Sequence, residues 1–197
     1  MHKISDGKKL EEDFAKWAKR SFEYDFTELR TLINGSSSVR PYEVDIHGAI
    51  YHKKYELIRK FGIAGLILSI IAFLDIIPGF KKLAENNFQK HIPEIAGSTL
   101  ITCGLIALGI WYFGKEREVE NHWIECKDLK GKVKRKDVMK LSSSVDDVRE
   151  NKVALWKPDK VIIVSSNGFD QDALAIAESK DIICYEKSGK GFKEVFL

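Results

Sequence analysis

The chain has 197 residues, of which 31% are charged and 44% hydrophobic, and its formal net charge is +3. This length allows one ordinary domain with an addition to it. Three cysteines lie far apart (Cys103, Cys126 and Cys184), which excludes a disulfide framework or a zinc site and predicts buried free thiols in a reducing compartment. Residues 1–6 lead into no apolar segment, so no cleavable signal peptide is expected.

An amphipathic helix is predicted over residues 7–22. Its apolar side chains recur at spacings of three and four on one face: Leu10, Phe14, Trp17, Ala18 and Phe22. Glu11 lies at the edge of this face, where it could reach a site beneath the helix. The alternative is that Glu11 belongs to a group of early acids that favour the helix N-terminus, and the residues leave both interpretations open.

Two strands are predicted next, a strand or irregular edge over residues 24–33 and a strand over residues 42–51. In the second strand, alternation places Val44 and Ile46 on one face and Asp45 on the other. An acid in the middle of a strand, between β-branched residues, is unfavourable by propensity. A bound metal ion would explain why Asp45 is there.

Two long apolar windows, residues 61–80 and 95–113, follow a basic segment. A helix of about 20 residues spans roughly the 30 Å of hydrocarbon in a bilayer, so these windows predict two transmembrane helices. The flanks carry more lysine and arginine than the connecting residues 81–94, which predicts that both ends of the chain lie in the cytoplasm. The first window contains one charged residue, Asp75. The alternative is a pair of buried helices in a soluble core.

A further strand is predicted over residues 119–129. Alternate side chains share a face of a strand, so Glu125 and Lys127 project together while Ile124 and Cys126 point into a core. A carboxylate and an ammonium group held side by side suit a metal-assisted attack on phosphate. The alternative for this pair is a surface ion pair of little energetic consequence.

The C-terminal part is basic at first and then alternates between strand and helix. The basic residues are Lys130, Lys132, Lys134, Arg135, Lys136 and Lys140. They form either a solvated face or, beside a phosphate-cleaving site, a surface for a nucleic-acid backbone. A strand over residues 160–165, a helix over residues 171–179 and a strand over residues 182–185 predict a right-handed crossover between parallel strands.

The order of these elements resembles the restriction-endonuclease-like fold of the PD-(D/E)-x-K nucleases, and the C-terminal half resembles its Mrr-type branch. The likeness is carried by Gly7-x-x-Leu10-Glu11-x-x-Phe14, Glu43-Val44-Asp45, Glu125-Cys126-Lys127, Val133 to Leu141, and residues 161–169 leading into Ala173-x-x-x-Ala177. Two features depart from the family pattern. Val44 replaces proline, and residues 55–118 stand where the family has a short hairpin.

The resemblance implies an α/β protein with a restriction-endonuclease-like mixed sheet flanked by helices, and a transmembrane α-helical hairpin inserted between the two catalytic strands. Residues 1–54 and 119–197 would form the two parts of the nuclease-like domain, and residues 55–118 the hairpin. The protein would then be a multi-pass protein of the inner cell membrane, with its N- and C-terminal parts in the cytoplasm. Its partners would be DNA and the lipid bilayer.

The resemblance further implies a Mg²⁺-dependent endonuclease that hydrolyses DNA phosphodiester bonds. Asp45 and Glu125 would be carboxylate ligands of Mg²⁺, or of Mn²⁺ in its place, and the backbone carbonyl of Cys126 would add a third oxygen. Lys127 would orient the attacking water or offset charge on the phosphoryl oxygens. Glu11 would hold a metal-bound water or a second ion. The expected contacts to the nucleic-acid backbone are Lys130, Lys132, Lys134, Arg135 and Lys136.

Two other functions stay open. One is a membrane-anchored nucleic-acid-binding or sensor module that has the nuclease fold without turnover. The other is a small membrane protein whose hairpin forms a homo-oligomer or a pore through its glycines. The complete set of Asp45, Glu125 and Lys127 favours an enzyme.

Overall fold

The computed structural model describes residues 6–73, 92–114 and 118–197, which form six strands and five helices. The helices are α1 (Asp6–Ser21), α2 (Lys53–Phe73), α3 (Ile92–Gly114), α4 (Arg135–Glu150) and α5 (Gln171–Ser179). The strands are β1 (Phe26–Ile33), β2 (Tyr42–Tyr51), β3 (Val119–Lys127), β4 (Lys160–Ser165), β5 (Ile182–Ser188) and β6 (Gly191–Val195). The chain divides into two compact units, one made of residues up to Tyr51 together with Glu120–Leu197, the other of His52–Val119.

A six-stranded mixed sheet runs through the first unit in the order β1-β2-β3-β4-β5-β6. β1 pairs antiparallel with β2, and β5 with β6, while β3, β4 and β5 are parallel. The helices α4 and α5 make the two parallel connections, and the sequence predicts the second of them, between the strands at residues 160–165 and 182–185. The protein is therefore α/β with a mixed sheet.

Helices α4 and α5 cover one face of the sheet. Their buried side chains form a core with apolar residues of β2, β3 and β4. The α4 contribution recurs with helical spacing: Val138, Leu141, Val145 and Val148. Trp123 is the largest side chain in this core and is 1% exposed. The opposite face carries α1, whose Leu10, Phe14 and Ala18 pack against β2, β3 and β4 through Ile46, Ile124 and Ile162. Both faces of the central strands are thus buried.

The register of β1 and β2 is interrupted at the level of Asp45. The pairs Leu29–Ile46 and Thr31–Val44 flank this point, and Arg30 between them has a φ of 56°. Such a left-handed conformation is uncommon for a residue with a side chain. Val44 packs in the α4–α5 core while Ile46 packs in the α1 core. The predicted strict alternation, with Val44 and Ile46 on one face, is therefore not what β2 adopts.

The second unit contains α2 and α3. Near Gly62 the two helices approach closely, since a Cβ at this position would lie 3.1 Å from the Cδ2 atom of Leu108. Cys103 on α3 is exposed, whereas Cys126 is half-buried and Cys184 buried. The expectation of three buried thiols is therefore wrong for Cys103, whose side chain α3 leaves exposed.

None of the helices within residues 6–73, 92–114 and 118–197 combines the length and the hydropathy that crossing a bilayer requires. The transmembrane hairpin predicted for residues 61–80 and 95–113, and the inner-membrane location derived from it, are therefore wrong. Charged residues occupy the first turns of α2 (Lys53, Lys54, Glu56, Arg59 and Lys60), which leaves an apolar remainder shorter than the ~20 residues needed. Asp75 and the connecting residues 81–91 lie outside the described residues.

The turn after β4 fixes where α4 begins. Gly168 has a φ of 77°, which glycine adopts without strain, and its carbonyl accepts hydrogen bonds from the Val133 backbone N–H (2.9 Å) and the Ser165 hydroxyl (2.9 Å). Asp170 donates its backbone N–H to the Val133 carbonyl at 3.0 Å. The basic segment between β3 and α4 is thereby attached to the carboxyl end of β4.

Replacing Gly48 with alanine should destabilise the first unit. A Cβ at this position would lie 2.7 Å from the Cζ atom of Tyr24, a buried ring whose hydroxyl is hydrogen-bonded to His122. The ring must shift, so we expect a loss of roughly 1–3 kcal/mol in the free energy of unfolding, measured by urea denaturation. Gly131→Ala is the control, because a Cβ there meets nothing within 4 Å. Equal stability of the two variants would contradict the packing described for Tyr24.

Candidate active site

Glu125 and Lys127 project from the same face of β3. The Lys127 ammonium (Nζ) donates to the Glu125 carboxylate (Oε1) at 2.6 Å, and both side chains are largely shielded, at 26% and 19% exposed. Ile124 and Cys126 between and beside them turn to the α1 core. The alternation expected for this strand is present. The pair is better shielded than an ordinary surface ion pair, whose energetic contribution is small.

Asp45 is joined to β3 by a hydrogen bond from the backbone. The Cys126 N–H donates to the Asp45 carboxylate (Oδ2) at 2.7 Å. Burial and the negative charge of Glu125 raise the pKa of Asp45 to about 7, although the Cys126 hydrogen bond acts in the opposite direction. The charge of Glu11 raises the pKa of Asp45 further. These effects place Asp45, Glu125 and Glu11 within electrostatic range of one another.

Glu11 reaches this region from α1. It is a buried carboxylate, 7% exposed, and it is held by a two-point contact with the Arg30 guanidinium. The Arg30 Nε lies 3.1 Å from Glu11 Oε2, and Nη2 lies 3.3 Å from Oε1. Such paired contacts fix orientation as well as charge. Arg30 thus combines a left-handed backbone conformation with an ion pair at the acidic cluster formed by Glu11, Asp45 and Glu125. Strained backbone conformations of this kind are often found at functional sites.

Lys127 remains a cation in this environment. Burial lowers the pKa of its ammonium group, but the charge of Glu125 and the hydrogen bond to it outweigh burial, so the pKa is raised overall. Cys126 takes part through its backbone N–H, and burial raises the pKa of its thiol well above the usual range. The role of its carbonyl as a metal ligand stays a prediction.

The chemistry of the donors suits a hard divalent cation. Within the part of the chain that the structure describes, no three or more His, Cys, Asp or Glu side chains are grouped so as to hold a metal ion. Mg²⁺, however, commonly uses one or two protein carboxylates and fills its remaining positions with waters and substrate phosphates. Asp45 and Glu125 supply two such carboxylates, and the raised pKa of Asp45 reports negative charge that a cation would offset. The two residues therefore fit Mg²⁺ or Mn²⁺.

The five basic residues expected to contact nucleic acid are all exposed: Lys130, Lys132, Lys134, Arg135 and Lys136. Three of them stand at the N-terminus of α4, where Lys134 donates its backbone N–H to the Asp137 carboxylate at 3.0 Å. Cations at a helix N-terminus are disfavoured by the helix dipole. A bound anion would remove that penalty.

The sequence pattern does not mark Arg30, Tyr42 or Trp123 as residues of this site, and it marks Lys140 only as one of the basic residues. Arg30 looks like an ordinary strand residue, and only its position opposite the acidic strand could have marked it. Tyr42, Trp123 and Lys140 line a cavity beside Glu125 and Lys127. These three residues come together only because α4 packs on the sheet beside β2 and β3. The spacing of apolar residues along α4 does not show where the helix lies relative to β2.

Comparisons of the chain with protein-family models, with curated proteins and with solved structures found no match. The resemblance to PD-(D/E)-x-K nucleases therefore stays a prediction from the sequence.

Replacing Asp45 with asparagine should stabilise the protein above neutral pH. The folded state raises the pKa of Asp45. The protonated carboxyl therefore stabilises the folded state fully below pH ~4, and this stabilisation is lost as the pH rises through about 7. Asparagine is neutral and can still accept the Cys126 N–H. We expect the variant to be more stable than the unmodified protein at pH 8, by at most roughly 4 kcal/mol, and equal to it near pH 4, since the pKa rises by about three units and one unit corresponds to about 1.4 kcal/mol.

The measurement is thermal or urea unfolding at a series of pH values without divalent cations. Glu178→Gln removes an exposed carboxylate of α5 and is the control for charge alone. A stability difference between the Asp45 variant and the unmodified protein that does not depend on pH would contradict the electrostatic account.

Proposed function

We propose that this protein is a metal-dependent phosphodiesterase of the PD-(D/E)-x-K type that hydrolyses nucleic acid, with DNA as its substrate. The observation that carries the proposal is the arrangement on β2 and β3. Asp45 is bonded to the backbone of β3 at Cys126, and on either side of that residue Glu125 and Lys127 form a close ion pair. Two carboxylates with an adjacent ammonium group are the side chains that phosphate hydrolysis assisted by a hard cation requires.

Asp45 and Glu125 would hold Mg²⁺ or Mn²⁺. When bound, the cation supplies Lewis-acid activation of a water and neutralisation of phosphoryl charge. The chain's own groups position the reactants. The Cys126 N–H holds one oxygen of Asp45, and the ion pair with Glu125 keeps the Lys127 ammonium charged and oriented. In that position Lys127 can offset the negative charge that develops on a phosphoryl oxygen.

Glu11 and Arg30 form a supporting pair. Arg30 fixes both oxygens of the Glu11 carboxylate, and it also lies 4.0 Å from Glu43. A single cation thus offsets two carboxylates near Asp45. Glu11 is assigned the role of holding a water or a second ion at the site, with Arg30 as its positioning residue.

The exposed basic residues from Lys130 to Lys136 are assigned to the phosphate backbone. They follow directly after Lys127 in the chain, and the hydrogen bonds at Val133 tie this segment to the end of β4. The combination of several cations with the N-terminus of α4 favours an extended polyanion, because both contribute positive potential.

A second candidate is a nucleic-acid-binding module with the same fold and no turnover. It is favoured by the ion pairs Glu125–Lys127 and Glu11–Arg30, since these satisfy two of the three carboxylates without a metal ion. The two candidates differ in one measurable property, namely the cation-dependent cleavage of a bound strand.

Asp45→Asn and Lys127→Met should each abolish Mg²⁺-dependent cleavage of DNA. The first removes a carboxylate ligand and the second removes the ammonium group, and we expect losses of at least about a hundredfold in rate, as is typical for groups that stabilise developing charge. The measurement is cleavage of labelled single- and double-stranded DNA with Mg²⁺, with Mn²⁺ and with a chelator. Lys152→Gln, an exposed lysine after α4, should retain full activity. Undiminished cleavage by both site variants would refute the assignment, and binding without any cleavage would favour the silent module.

Replacing Lys134, Arg135 and Lys136 together by glutamine should weaken DNA binding at all sequences alike. Each phosphate contact that is lost should reduce the slope of log K against log salt by roughly 0.7–0.9, so we expect a reduction of about 2 to 3. Binding is measured by fluorescence anisotropy over a series of salt concentrations, in a chelator so that no cleavage occurs. An unchanged salt slope would show that these residues form a solvated face.

A further inference from the structure

A cavity of about 340 Å³ lies beside the Glu125–Lys127 pair, within the first unit. Three segments line it: the start of β2, the end of β3, and the face of α4 that follows Asp137. Its volume is within the range of about 300–1,000 Å³ that is usual for sites of small ligands. The cavity therefore has room for one compact molecule or one unit of a polymer next to the proposed catalytic pair.

Trp123 in the wall of this cavity has an unused hydrogen-bond donor. Its side chain is 1% exposed. Among the described residues, its indole Nε1 is a buried polar atom that has no hydrogen-bond partner. Because this nitrogen is itself buried, it is not open to the cavity. Trp123 contributes to the wall through its ring, whose centroid lies 6.3 Å from that of the Tyr42 ring.

Tyr42 forms a second part of the wall and is held in place. Its hydroxyl donates to the Asp147 carboxylate (Oδ2) at 3.0 Å, and Asp147 is itself bound by the backbone N–H and the hydroxyl of Ser37, each at 2.7 Å. The ring therefore presents a face whose orientation does not have to be fixed when a ligand binds. Pro41 and Leu141 complete the apolar part of the lining.

The polar part of the lining contains both signs of charge. Lys127 and Lys140 supply ammonium groups, while Glu43, Glu125 and Asp137 supply carboxylates. A nucleotide has matching parts, because its phosphate pairs with ammonium groups, its base carries hydrogen-bond donors and acceptors, and its flat ring stacks on aromatic side chains. A plain apolar ligand or a simple anion would leave one of these parts unmatched.

We propose that this cavity binds one unpaired nucleotide of the substrate strand, with its phosphate towards Lys127 and Lys140 and its base against Tyr42. This inference rests on the proposed nuclease function and specifies its substrate class, namely single-stranded nucleic acid or strand ends that open. A base within a closed duplex is stacked and paired, and it must leave the helix before it can enter a cavity of this size.

The test is binding of a short labelled oligothymidylate to the full chain in a chelator, measured by fluorescence anisotropy. A closed circular duplex serves as competitor at the same salt concentration. Tyr42→Leu removes the aromatic face, and since stacking of a base on an aromatic side chain is worth about 1–3 kcal/mol, we expect binding at least fivefold weaker. Lys140→Gln should weaken binding about threefold. Lys152→Gln removes an exposed lysine that follows α4 and is the control, and it should bind within about twofold of the unmodified protein.

Melting temperatures of all variants are compared, and Lys140→Gln alters an exposed residue, so its result can be interpreted even if Tyr42→Leu fails to fold. Unchanged oligothymidylate affinity in both Tyr42→Leu and Lys140→Gln would overturn the inference, as would a closed duplex that competes as well as unlabelled oligothymidylate. The cleavage assay separates this from the proposed function. If the affinities change as expected and no cation supports cleavage, the cavity assignment stands and the nuclease assignment fails. If cleavage depends on Asp45 and is equally fast on closed duplex and single strands, the nuclease assignment stands and the cavity assignment fails.

Discussion

The hydrogen bond from the Cys126 N–H to the Asp45 carboxylate is the contact on which the rest of this site depends. It ties the acid of β2 to the backbone of β3, between the two side chains Glu125 and Lys127. Without it, a carboxylate in a strand covered by helices would be an unsatisfied buried charge, which proteins avoid. The bond fixes where Asp45 lies but leaves its pKa raised, because burial and the charge of Glu125 are the larger effects. The position is thereby organised for a group that brings positive charge.

The surrounding ion pairs follow from the same electrostatic problem. Three acidic side chains converge from α1, β2 and β3. Two of them form ion pairs, Glu11 with Arg30 and Glu125 with Lys127. Arg30 does so from a left-handed backbone conformation at the point where the pairing of β1 with β2 is interrupted. A locally unfavourable conformation is tolerated in a sheet when neighbouring contacts compensate for it. The two ion pairs offset the negative charge of Glu11 and Glu125 without a metal ion, and they also support the alternative of a binding module.

Two of the failed predictions, the membrane hairpin and the faces of β2, have different physical causes. The windows at 61–80 and 95–113 predict membrane spans from their apolar content alone. The usable length of a span depends on where the helix begins, and α2 begins among charged residues at Lys53. The faces of β2 were assigned by strict alternation, which fails wherever a strand is irregular, and here Val44 and Ile46 enter different cores. Neither error affects β3, where the alternation of Glu125 and Lys127 with Ile124 and Cys126 is regular and the neighbouring strand β4 is parallel and buried.

The sequence by itself determined the apolar face of α1, the strand–helix–strand order from β4 to β5, and the side-by-side projection of Glu125 and Lys127. These features depend on local periodicity, which is set by the order of residues within a single segment. Only the tertiary structure decided the bond between Asp45 and Cys126, the capture of Glu11 by Arg30, and the cavity between Tyr42, Trp123 and Lys140. Each of these contacts joins residues from different elements. Such contacts depend on the register of the strands and on how a helix packs on the sheet, and the residue spacing within one segment determines neither.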